Sequence, residues 1–373
     1  MKEWQQRKFG ELYKVPSRNG LSKPSRVRGS GYKMINMGEL FANDRIYDID
    51  MELVPLTDSE KEKAKVESGD LLFARQSLIA SGAGKCSIVM KTSELTVFES
   101  HLIRVRLDQE IADPMFYYYY FKSPRSPMRT IVEHCVQAGI KASDLEKLLV
   151  KVPPIEEQRK TARVLSRIDK KIEVNKEINE NLADQAQAIY QQYFLIEADP
   201  NWPLGHLSDL IDVKYGKDHK KLADGVYPVY GSGGIMRYVE RPLYEKESVL
   251  IPRKGTLNNV MYVNQPFWSV DTMFYTEMKQ ANVAKFVYHF VKSKDLASMN
   301  SGSAVPSMTT AILNALELRI PSAEALLQFE NSVAPMYEMM KKNENQSRKL
   351  TELRDALLPK LMSGEIDISS LNI

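Results

Sequence analysis

Hydrophobic residues recur along this chain with two different periods. Residues 1 to about 150 contain short apolar runs such as 71–74, rich in β-branched and aromatic residues and separated by glycine-rich turns. Runs of this length and composition are typical of β-strands. A later stretch, 113–123, is aromatic, and Asp113 can cap a helix whose first turn suits Pro114. Residues 201 to about 319 repeat this order more loosely. The pattern predicts two α+β modules.

A helical period replaces the strand period between residues 155 and 194. This stretch contains no glycine or proline and is rich in Glu, Lys, Gln and Ala. Apolar and amide residues alternate with spacings of four and three, as at the a and d positions of a coiled coil. These positions are Ile168, Ile172, Asn175, Asn179, Leu182, Ala186, Ile189 and Tyr193. About forty residues predict a helix of roughly 60 Å.

The helical stretch occurs a second time. Residues 152–194 align without gaps with residues 320–362, so that Pro153 falls on Pro321 and Asn175 on Asn343, each 168 positions apart. The heptad positions of the second copy are Met336, Met340, Asn343, Ser347, Leu350, Arg354, Leu357 and Leu361. The modules drift in spacing, whereas the helices keep their length. A repeat of this size indicates a duplicated half-molecule.

Each predicted helix needs a partner for its apolar stripe, and the other copy is the obvious one. In an antiparallel pair Asn175 and Asn343 would meet at the crossing point, where polar residues fix register at a cost in stability. The alternative, with both side chains in solvent, fits the sequence equally well. Pro335 removes one helical hydrogen bond, so we expect a bend or break there and a cleaner helix in the first copy.

Composition places limits on the class of protein. A length of 373 residues with 43% hydrophobic content suits two or three globular domains. The 51 basic and 48 acidic residues give a net charge of +3, which permits nucleic acid as a partner without demanding it. The two cysteines, Cys86 and Cys135, and a polar N-terminal stretch predict a cytoplasmic protein without disulfides. No apolar run approaches the roughly 20 residues that span a membrane.

Motifs for catalysis are weak or missing. The stretch NQPF at 264–267 resembles a methyltransferase motif for a target amine, but no cofactor loop precedes it. The glycine-rich stretches at 29–33 and 230–234 lack the spacing of phosphate-binding loops and are predicted to be turns. His134 and Cys135 form a single pair with no second pair at metal-ligand spacing, so no metal site is predicted. Nothing indicates an enzyme.

Basic residues cluster where DNA could be contacted. Segment 17–33 is rich in Arg, Lys, Gly, Ser and Pro, as expected for a flexible loop that contacts phosphates, although a solvated surface loop is the alternative. Arginine also follows a predicted strand at the matching place in each module, where it could read base edges or form a structural salt bridge. The predicted DNA-binding residues are Arg18, Lys23, Arg26, Arg28, Lys33, Arg75, Gln76, Ser77, Arg253 and Lys254.

Together these features resemble the specificity (S) subunit of type I restriction-modification systems, which act in phage defence. The resemblance covers the whole chain and is carried by the PPxxEQ element that ends at Gln158, by the degenerate copy at 321–324 and by the closing stretch 353–366. The second copy departs from the pattern, because Leu326 stands where the first has Gln158 and because Pro335 lies within the helix.

The resemblance implies a fold class and a division of the chain. The fold is expected to be α+β, with two similar α/β target recognition domains separated by two long helices in an antiparallel coiled coil, pseudo-twofold. The implied segments are recognition domain 1 at 1–152, a central helical spacer at 153–197, recognition domain 2 at 198–319 and a C-terminal helical spacer at 320–373. The implied spacer residues are Ile168, Ile172, Asn175, Leu182, Ile189, Met336, Met340, Asn343, Leu350 and Leu357.

The resemblance also implies a non-catalytic DNA-recognition role. Such a subunit binds an asymmetric site in double-stranded DNA that is split in two halves, and docks two methyltransferase (M) subunits and restriction (R) subunits. S-adenosylmethionine would be bound by the M subunits and no cofactor by this chain. A stand-alone twofold DNA-binding regulator and a coiled-coil scaffold without DNA binding are the alternatives.

Overall fold

The computed structural model describes residues 4–77, 82–134, 138–299, 307–366 and 368. Their contacts divide the chain into two compact units. Unit 1 consists of Met1–Val174 and Gln346–Ile373, and unit 2 of Asn175–Asn345. The predicted segments keep each long helix whole, whereas the division by contacts falls inside both long helices.

Unit 1 is built mainly from short strands. The strands of its described residues are β1 Gln5–Lys8, β2 Tyr13–Asn19, β3 Tyr32–Ile35, β4 Arg45–Ile46, β5 Glu52–Val54, β6 Leu71–Ala74, β7 Gln76–Ser77, β8 Cys86–Val89, β9 Thr96–Phe98, β10 Leu102–Leu107, β11 Glu133–His134, β12 Ala138–Gly139 and β13 Leu149–Val152. Its short helices are α1 Met37–Ala42, α2 Asp58–Ala64, α3 Pro114–Lys122 and α4 Ala142–Lys147. Single 3₁₀ turns lie at Phe9–Leu12, Ser25–Val27 and Pro127–Ile131.

The strands of unit 1 form one main sheet and three smaller ones. The main sheet has the order β2-β10-β6-β8-β4, and it is antiparallel except where β4 joins β8. The smaller sheets are β5-β3-β9, β11-β12-β7 and the pair β1-β13. The predicted cap of α3 is present, because the Asp113 carboxylate accepts a 2.8 Å hydrogen bond from the Phe116 backbone nitrogen.

Two long helices follow the modules. They are α5 Ile155–Gln191, which continues as a π-helical turn at Gln192–Ile196, and α9 Ala323–Ser363. The break expected at Pro335 is wrong, because α9 runs through it without interruption. Pro335 and Asn331 are both exposed, so the carbonyl that loses its helical partner can be hydrated by water. The first copy is not the cleaner helix, since it is the one with a π-helical turn.

Unit 2 repeats the architecture of unit 1 with fewer elements. Its strands among the described residues are β14 Leu204–His206, β15 Ile211–Tyr215, β16 Asp224–Gly231, β17 Gly234–Val239, β18 Ser248–Pro252, β19 Met261–Val263, β20 Trp268–Ser269, β21 Met273–Met278 and β22 Glu317–Arg319. Its short helices are α6 Leu207–Leu210, α7 Ala284–Lys292 and α8 Thr310–Asn314.

The sheet orders show that the two modules share one topology. The sheet β15-β21-β18-β19 corresponds to β2-β10-β6-β8, and the pair β14-β22 corresponds to β1-β13. In the smaller sheets, β16 pairs in parallel with β20 as β3 does with β9. The module repeat expected from the sequence is therefore confirmed at the level of strand order.

Each unit has two hydrophobic cores. In unit 1 the larger core joins the main sheet and α3 to the long helices, through residues such as Phe73, Tyr117, Leu165 and Leu361. The smaller core lies between the main sheet and β5-β3-β9. Unit 2 has the same two cores, and Tyr190 and Phe329 supply its helical part. Burial of large side chains on these faces is the main stabilisation of both units.

Candidate nucleic-acid interface

Arg75 follows the central strand β6 in unit 1. Its backbone nitrogen donates a 2.8 Å hydrogen bond to the His101 carbonyl, just before β10 begins. Its own carbonyl accepts a 2.9 Å hydrogen bond from the nitrogen of Ile140. Both backbone groups of Arg75 are therefore held by hydrogen bonds. Its half-buried side chain projects from the C-terminal end of β6, the central strand of the main sheet.

Arg253 follows the corresponding strand β18 in unit 2 and is held in the same way. Its backbone nitrogen donates to the Thr272 carbonyl and its carbonyl accepts from the nitrogen of Met308, both at 2.9 Å. Ile140 and Met308 are again 168 positions apart. The sequence predicted that both arginines occupy one repeated position, and the backbone contacts agree.

The side chains of these arginines are free of carboxylates. In the described part of the chain, no Asp or Glu oxygen lies within 4.0 Å of the guanidinium of Arg75 or Arg253, or of the Lys254 amine. The Arg253 guanidinium lies 5.3 Å from the ring centre of Tyr215 and donates a 3.3 Å hydrogen bond to the Asp271 carbonyl. The alternative of a structural salt bridge has no support from these contacts, and both guanidinium groups keep donors for another acceptor.

Gln76 and Ser77 form the short strand β7 beside Arg75. They pair with β12, Gln76 opposite Gly139 and Ser77 opposite Ala138, and both side chains are half-buried. In unit 2 the residue after the arginine, Lys254, forms a single bridge with Ser307 and exposes its side chain. The predicted readers therefore lie on paired backbone in both units.

Segment 17–33 is more structured than the flexible loop expected from the sequence. Its first residues belong to β2, its last to β3, and Ser25–Val27 form a 3₁₀ turn. Three of its five cations have carboxylate partners. These pairs are Lys23 with Glu60 at 2.8 Å, Arg28 with Glu52 at 2.6 Å and Lys33 with Asp48 at 2.5 Å.

The ion pairs change the local electrostatics. The hydrogen bond from Lys23 lowers the pKa of Glu60, and the hydrogen bond to Asp48 raises the pKa of Lys33. Contact with a phosphate would therefore compete with existing partners at Lys23, Arg28 and Lys33. Arg18 and Arg26 are exposed and have no carboxylate within 4.0 Å among the described residues, so their charge is not neutralised by an ion pair.

Arg18 lies near the same end of the main sheet as Arg75, where β2 and β6 end and β10 begins. β10 pairs with both β2 and β6, and its residue Ile103 faces Asn19 on one side and Phe73 on the other. The ends of β2 and β6 therefore meet at the start of β10. This end of the sheet therefore carries the exposed Arg18 and the half-buried Arg75, which are far apart in the sequence.

The helix pair places the predicted asparagines in its interior. In unit 2, Asn175 is 1% exposed and Asn343 8% exposed, so the alternative with both side chains in solvent is wrong. The Asn175 side-chain nitrogen lies 3.4 Å from the Asn343 backbone oxygen, and Asn179 donates to the Met340 carbonyl at 3.0 Å. As numbers rise along α5 they fall along α9, so the helices are antiparallel.

Most of the apolar heptad positions are less buried than the asparagines. The predicted spacer residues with intermediate exposure are Ile168, Ile172, Leu182, Ile189, Met336, Met340, Leu350 and Leu357. Two heptad positions, Ala186 and Leu361, are almost fully buried, as are Leu165, Tyr190 and Val333 elsewhere on the long helices. These residues share a core with α3 in unit 1 or with α7 in unit 2, so the long helices pack on the modules as well as on each other.

A polar contact between α3 and the long helices escaped the sequence analysis. In unit 1 Asp169 accepts hydrogen bonds from Tyr119 at 2.6 Å, Arg45 at 2.9 Å and Arg354 at 3.0 Å. Its side chain is only 14% exposed. The arginines come from positions far away in the sequence, so no local pattern signals this cluster.

The corresponding place in unit 2 is neutral. Tyr337, 168 positions after Asp169, lies 2.9 Å from Nε2 of His289, whose Nδ1 is 2.7 Å from Gln187. His289 takes the place of Tyr119 in the matching helix. Burial lowers the pKa of His289 to about 3, so the ring is uncharged near neutral pH.

A sequence comparison decides the family. The family described as "Type I restriction modification DNA specificity domain" matches this chain over residues 1–184 and 200–333. The chain belongs to this family of type I specificity subunits.

Individual relatives agree with this assignment. The specificity subunit of the type I restriction enzyme MjaIX of Methanocaldococcus jannaschii is 23% identical over 355 residues, covering 83% of this chain and 82% of the relative. The EcoKI specificity subunit of Escherichia coli K12 is 27% identical over 195 residues, covering 50% of this chain and 41% of that one. The crystal structure of the S subunit from M. genitalium matches with a TM-score of 0.64 at 18% identity, covering 96% of both chains.

Type I specificity subunits recognise DNA sequence and are non-catalytic. The two stretches that resemble catalytic or phosphate-binding motifs, 264–267 and 230–234, have structural roles in this chain. In the NQPF stretch the Phe267 ring is fully buried, the Asn264 carbonyl accepts from Lys341 at 3.2 Å and Gln265 donates to Tyr230 at 3.2 Å. Phe267 belongs to the smaller core of unit 2, and residues 264–266 are half-buried beside it. The stretch at 230–234 forms the turn between β16 and β17, as predicted.

The PPxxEQ element of this specificity subunit fastens α5 to its module. The Gln158 side chain donates to the carbonyls of Ile111 and Pro153 at 3.0 and 2.8 Å and accepts from the Asp113 nitrogen at 2.8 Å. Leu326, its counterpart in the second copy, is 1% exposed in the unit 2 core. A hydrogen-bonded anchor in one unit is thus replaced by an apolar one in the other.

No helix in the described part of this specificity subunit is long and apolar enough to cross a membrane. Among those same residues, no group of three or more His, Cys, Asp and Glu side chains is arranged to hold a metal ion. Cys86 is buried with a free thiol, and Cys135 lies outside the described residues.

Proposed function

We propose that this chain selects the DNA target of a type I restriction-modification complex by binding an asymmetric double-stranded site in two halves. Each unit reads one half. The chain docks two methyltransferase (M) subunits, and restriction (R) subunits join the complex for cleavage. S-adenosylmethionine is bound by the M subunits, which methylate an adenine in each half, and this chain holds no cofactor.

The repeated arginine carries the proposal. Arg75 directly follows β6, and Arg253 directly follows β18, the equivalent strand of the other module. Each arginine is held by a matching pair of backbone hydrogen bonds. A guanidinium without a carboxylate partner suits bidentate contact with guanine in the major groove. Two equivalent readers on two modules with different loops fit a site whose halves differ in sequence.

The long helices support docking of a protein partner. Outside its buried face α5 exposes charged residues such as Lys171, Lys176, Glu180 and Asp184. A mixed charged face of this kind suits contact with another protein better than contact with DNA, which needs mainly positive charge.

The test is a comparison of the purified chain with and without its co-produced M subunit. We expect a stable complex that binds one bipartite sequence at least 1,000-fold more tightly than random DNA, in the usual range for specific binding. Tight specific binding by the chain alone would favour a regulator. A complex that ignores DNA sequence would favour a scaffold, and absence of any complex would contradict docking.

A further inference from the structure

The β16–β17 hairpin of unit 2 ends in two large apolar side chains that face solvent. Gly231 pairs with Gly234, so the turn consists of Ser232 and Gly233. The next two residues, Ile235 and Met236, are 48% and 61% exposed. Ile235 pairs with Tyr230 and Arg237 with Val229, so Met236 is the extra residue of a β-bulge and two exposed apolar side chains lie next to each other at the tip.

The glycines of the turn keep this tip narrow. A Cβ at Gly233 or Gly234 would meet nothing within 4 Å, and Gly234 has a φ of +110°. The Met236 side chain lies across the hairpin, because a Cβ at Gly231 would come within 2.5 Å of its Sδ. The tip is thus a slim ribbon with an apolar surface.

The hairpin turn is fastened beside the predicted base-reading residues. Asn259 donates a 2.7 Å hydrogen bond to the Ser232 carbonyl, and a Cβ at Gly255 would lie 2.8 Å from Ser232 Oγ. Gly255 directly follows Arg253 and Lys254. The apolar tip and the two cations therefore belong to one surface of unit 2.

Unit 1 also has an exposed aromatic side chain close to its arginine. α1 follows β3, the counterpart of β16, and its Phe41 is 38% exposed. A Cβ at Gly82 would lie 3.1 Å from the Phe41 ring and 2.2 Å from Ser77 Oγ, next to the Arg75 edge. Two modules with different local structure thus both put an exposed apolar side chain beside the arginine.

We infer that the β16–β17 tip enters the major groove and that Ile235 and Met236 read the methyl group of a thymine in the half-site bound by unit 2. The inference rests on the proposed function. The major groove, about 12 Å wide, admits a two-stranded ribbon, and apolar contact distinguishes thymine by its C5-methyl group. Arg253 and Lys254 supply the positive charge that brings such a surface to DNA.

The first experiment maps the methylated sequence. The full chain is produced with its M subunit in cells without other adenine methylation, and the methylated motif is sequenced. Arg253→Ala first identifies the half read by unit 2. The double variant Ile235→Ser/Met236→Ser should then accept cytosine at a thymine position of that half and leave the other half unchanged. The matched control is Val226→Ser, which removes a 77% exposed side chain from the far end of β16.

The second experiment uses the unaltered complex and synthetic duplexes. Deoxyuridine replaces each thymine of the half-site in turn, which removes only the methyl group. We expect about fourfold weaker binding at one position, the loss for one buried methyl group. The complex with Ile235→Ser/Met236→Ser should bind the duplex with deoxyuridine at that position as tightly as the duplex with thymidine.

The outcomes separate the inference from the proposed function. An unchanged motif in the double variant, or equal wild-type binding to every deoxyuridine duplex, would overturn the inference while specific binding persisted. Absence of sequence-specific binding by the wild-type complex would contradict the proposed function itself.

Discussion

The Asn343 side chain donates a 2.8 Å hydrogen bond to Oδ1 of Asn179. Its repeat counterpart Asn175 donates to the backbone carbonyl of Asn343 at 3.4 Å. Both asparagines thus make hydrogen bonds in one buried layer of the helix pair. The layer is polar, and its pairing pattern matches only one register of the two helices.

Removal of this layer should destabilise unit 2. Asn343→Ala leaves the Asn179 oxygen without its donor, so we expect the free energy of unfolding to fall by about 1 kcal/mol. Chemical denaturation of the intact chain measures the change. Lys342→Ala, at an exposed neighbouring position of the same helix, is the control. Equal effects of the two substitutions would show that the polar layer contributes nothing.

The Asp169 cluster should be more sensitive. Asp169→Ala leaves Arg45 and Arg354 largely buried without their shared carboxylate, and we expect a loss of about 3 kcal/mol in unit 1. The control is Asp355→Ala, whose pair with Arg354 at 2.8 Å is formed by a side chain that is 60% exposed. That substitution should cost less than about 1 kcal/mol. A small loss for Asp169→Ala would place the cluster among ordinary surface ion pairs.

Burial of His289 predicts a loss of stability in acid. The folded pKa of about 3 lies below the unfolded value near 6.5, so the unfolded state binds more protons between these limits. The contribution is fully present above pH 6.5 and decreases as pH falls, by about 2 kcal/mol at pH 5.

Unfolding curves at pH 7 and pH 5 measure this effect. His289→Gln should flatten the difference between the two curves, because it removes the buried imidazole. His206→Gln, which removes an exposed imidazole, should retain the parental difference. Identical pH dependence in the unaltered chain and in His289→Gln would mean that folding does not lower the pKa of His289.

The readers of the two units should act separately. Arg75→Ala removes a bidentate donor, so we expect discrimination at one base pair to fall by about 1–3 kcal/mol. The loss should be confined to one half of the site, and Arg253→Ala should affect the other half. Binding of duplexes with single base changes measures this. Relaxation in both halves after one substitution would contradict one reader per unit.

Phosphate contacts should behave differently from base readers. Arg26→Ala should weaken binding to all sequences alike and reduce the slope of log affinity against log salt by about 1. Arg28→Ala is the matched control, because Arg28 is already paired with Glu52 at 2.6 Å and should release fewer counterions. A larger slope change for Arg28 than for Arg26 would reverse this ranking.

Features that depend on periodicity were predictable from the sequence. The gap-free repeat located both long helices, and the heptad spacing gave an interior position for Asn175 and Asn343 as one of two alternatives, which their burial decides. The sequence did not show that α9 continues through Pro335, because the tolerance of a helix for proline depends on which face meets solvent. That face is decided by packing against the module, which a single helix pattern does not contain.

Features that depend on long-range contacts were not predictable. Segment 17–33 is basic in sequence, yet the carboxylates that neutralise Lys23 and Arg28 come from Glu60 and Glu52, in separate elements. The same holds for Asp169, whose partner Arg354 lies 185 positions away. The hairpin tip was visible only as a glycine-rich turn, and the sequence does not show that Ile235 and Met236 stay uncovered.

The discontinuous composition of unit 1 has a consequence for synthesis on the ribosome. Leu358, Leu361 and Met362 fill the same core as Phe9 and Phe73, although almost the entire chain separates them. At the usual pace of translation, about 10 to 40 s pass between the emergence of residue 174 and that of residue 362. During this interval the part of the core that Leu358, Leu361 and Met362 fill is exposed on the nascent first module, so we expect this module to bind chaperones for longer than unit 2, which is contiguous in sequence.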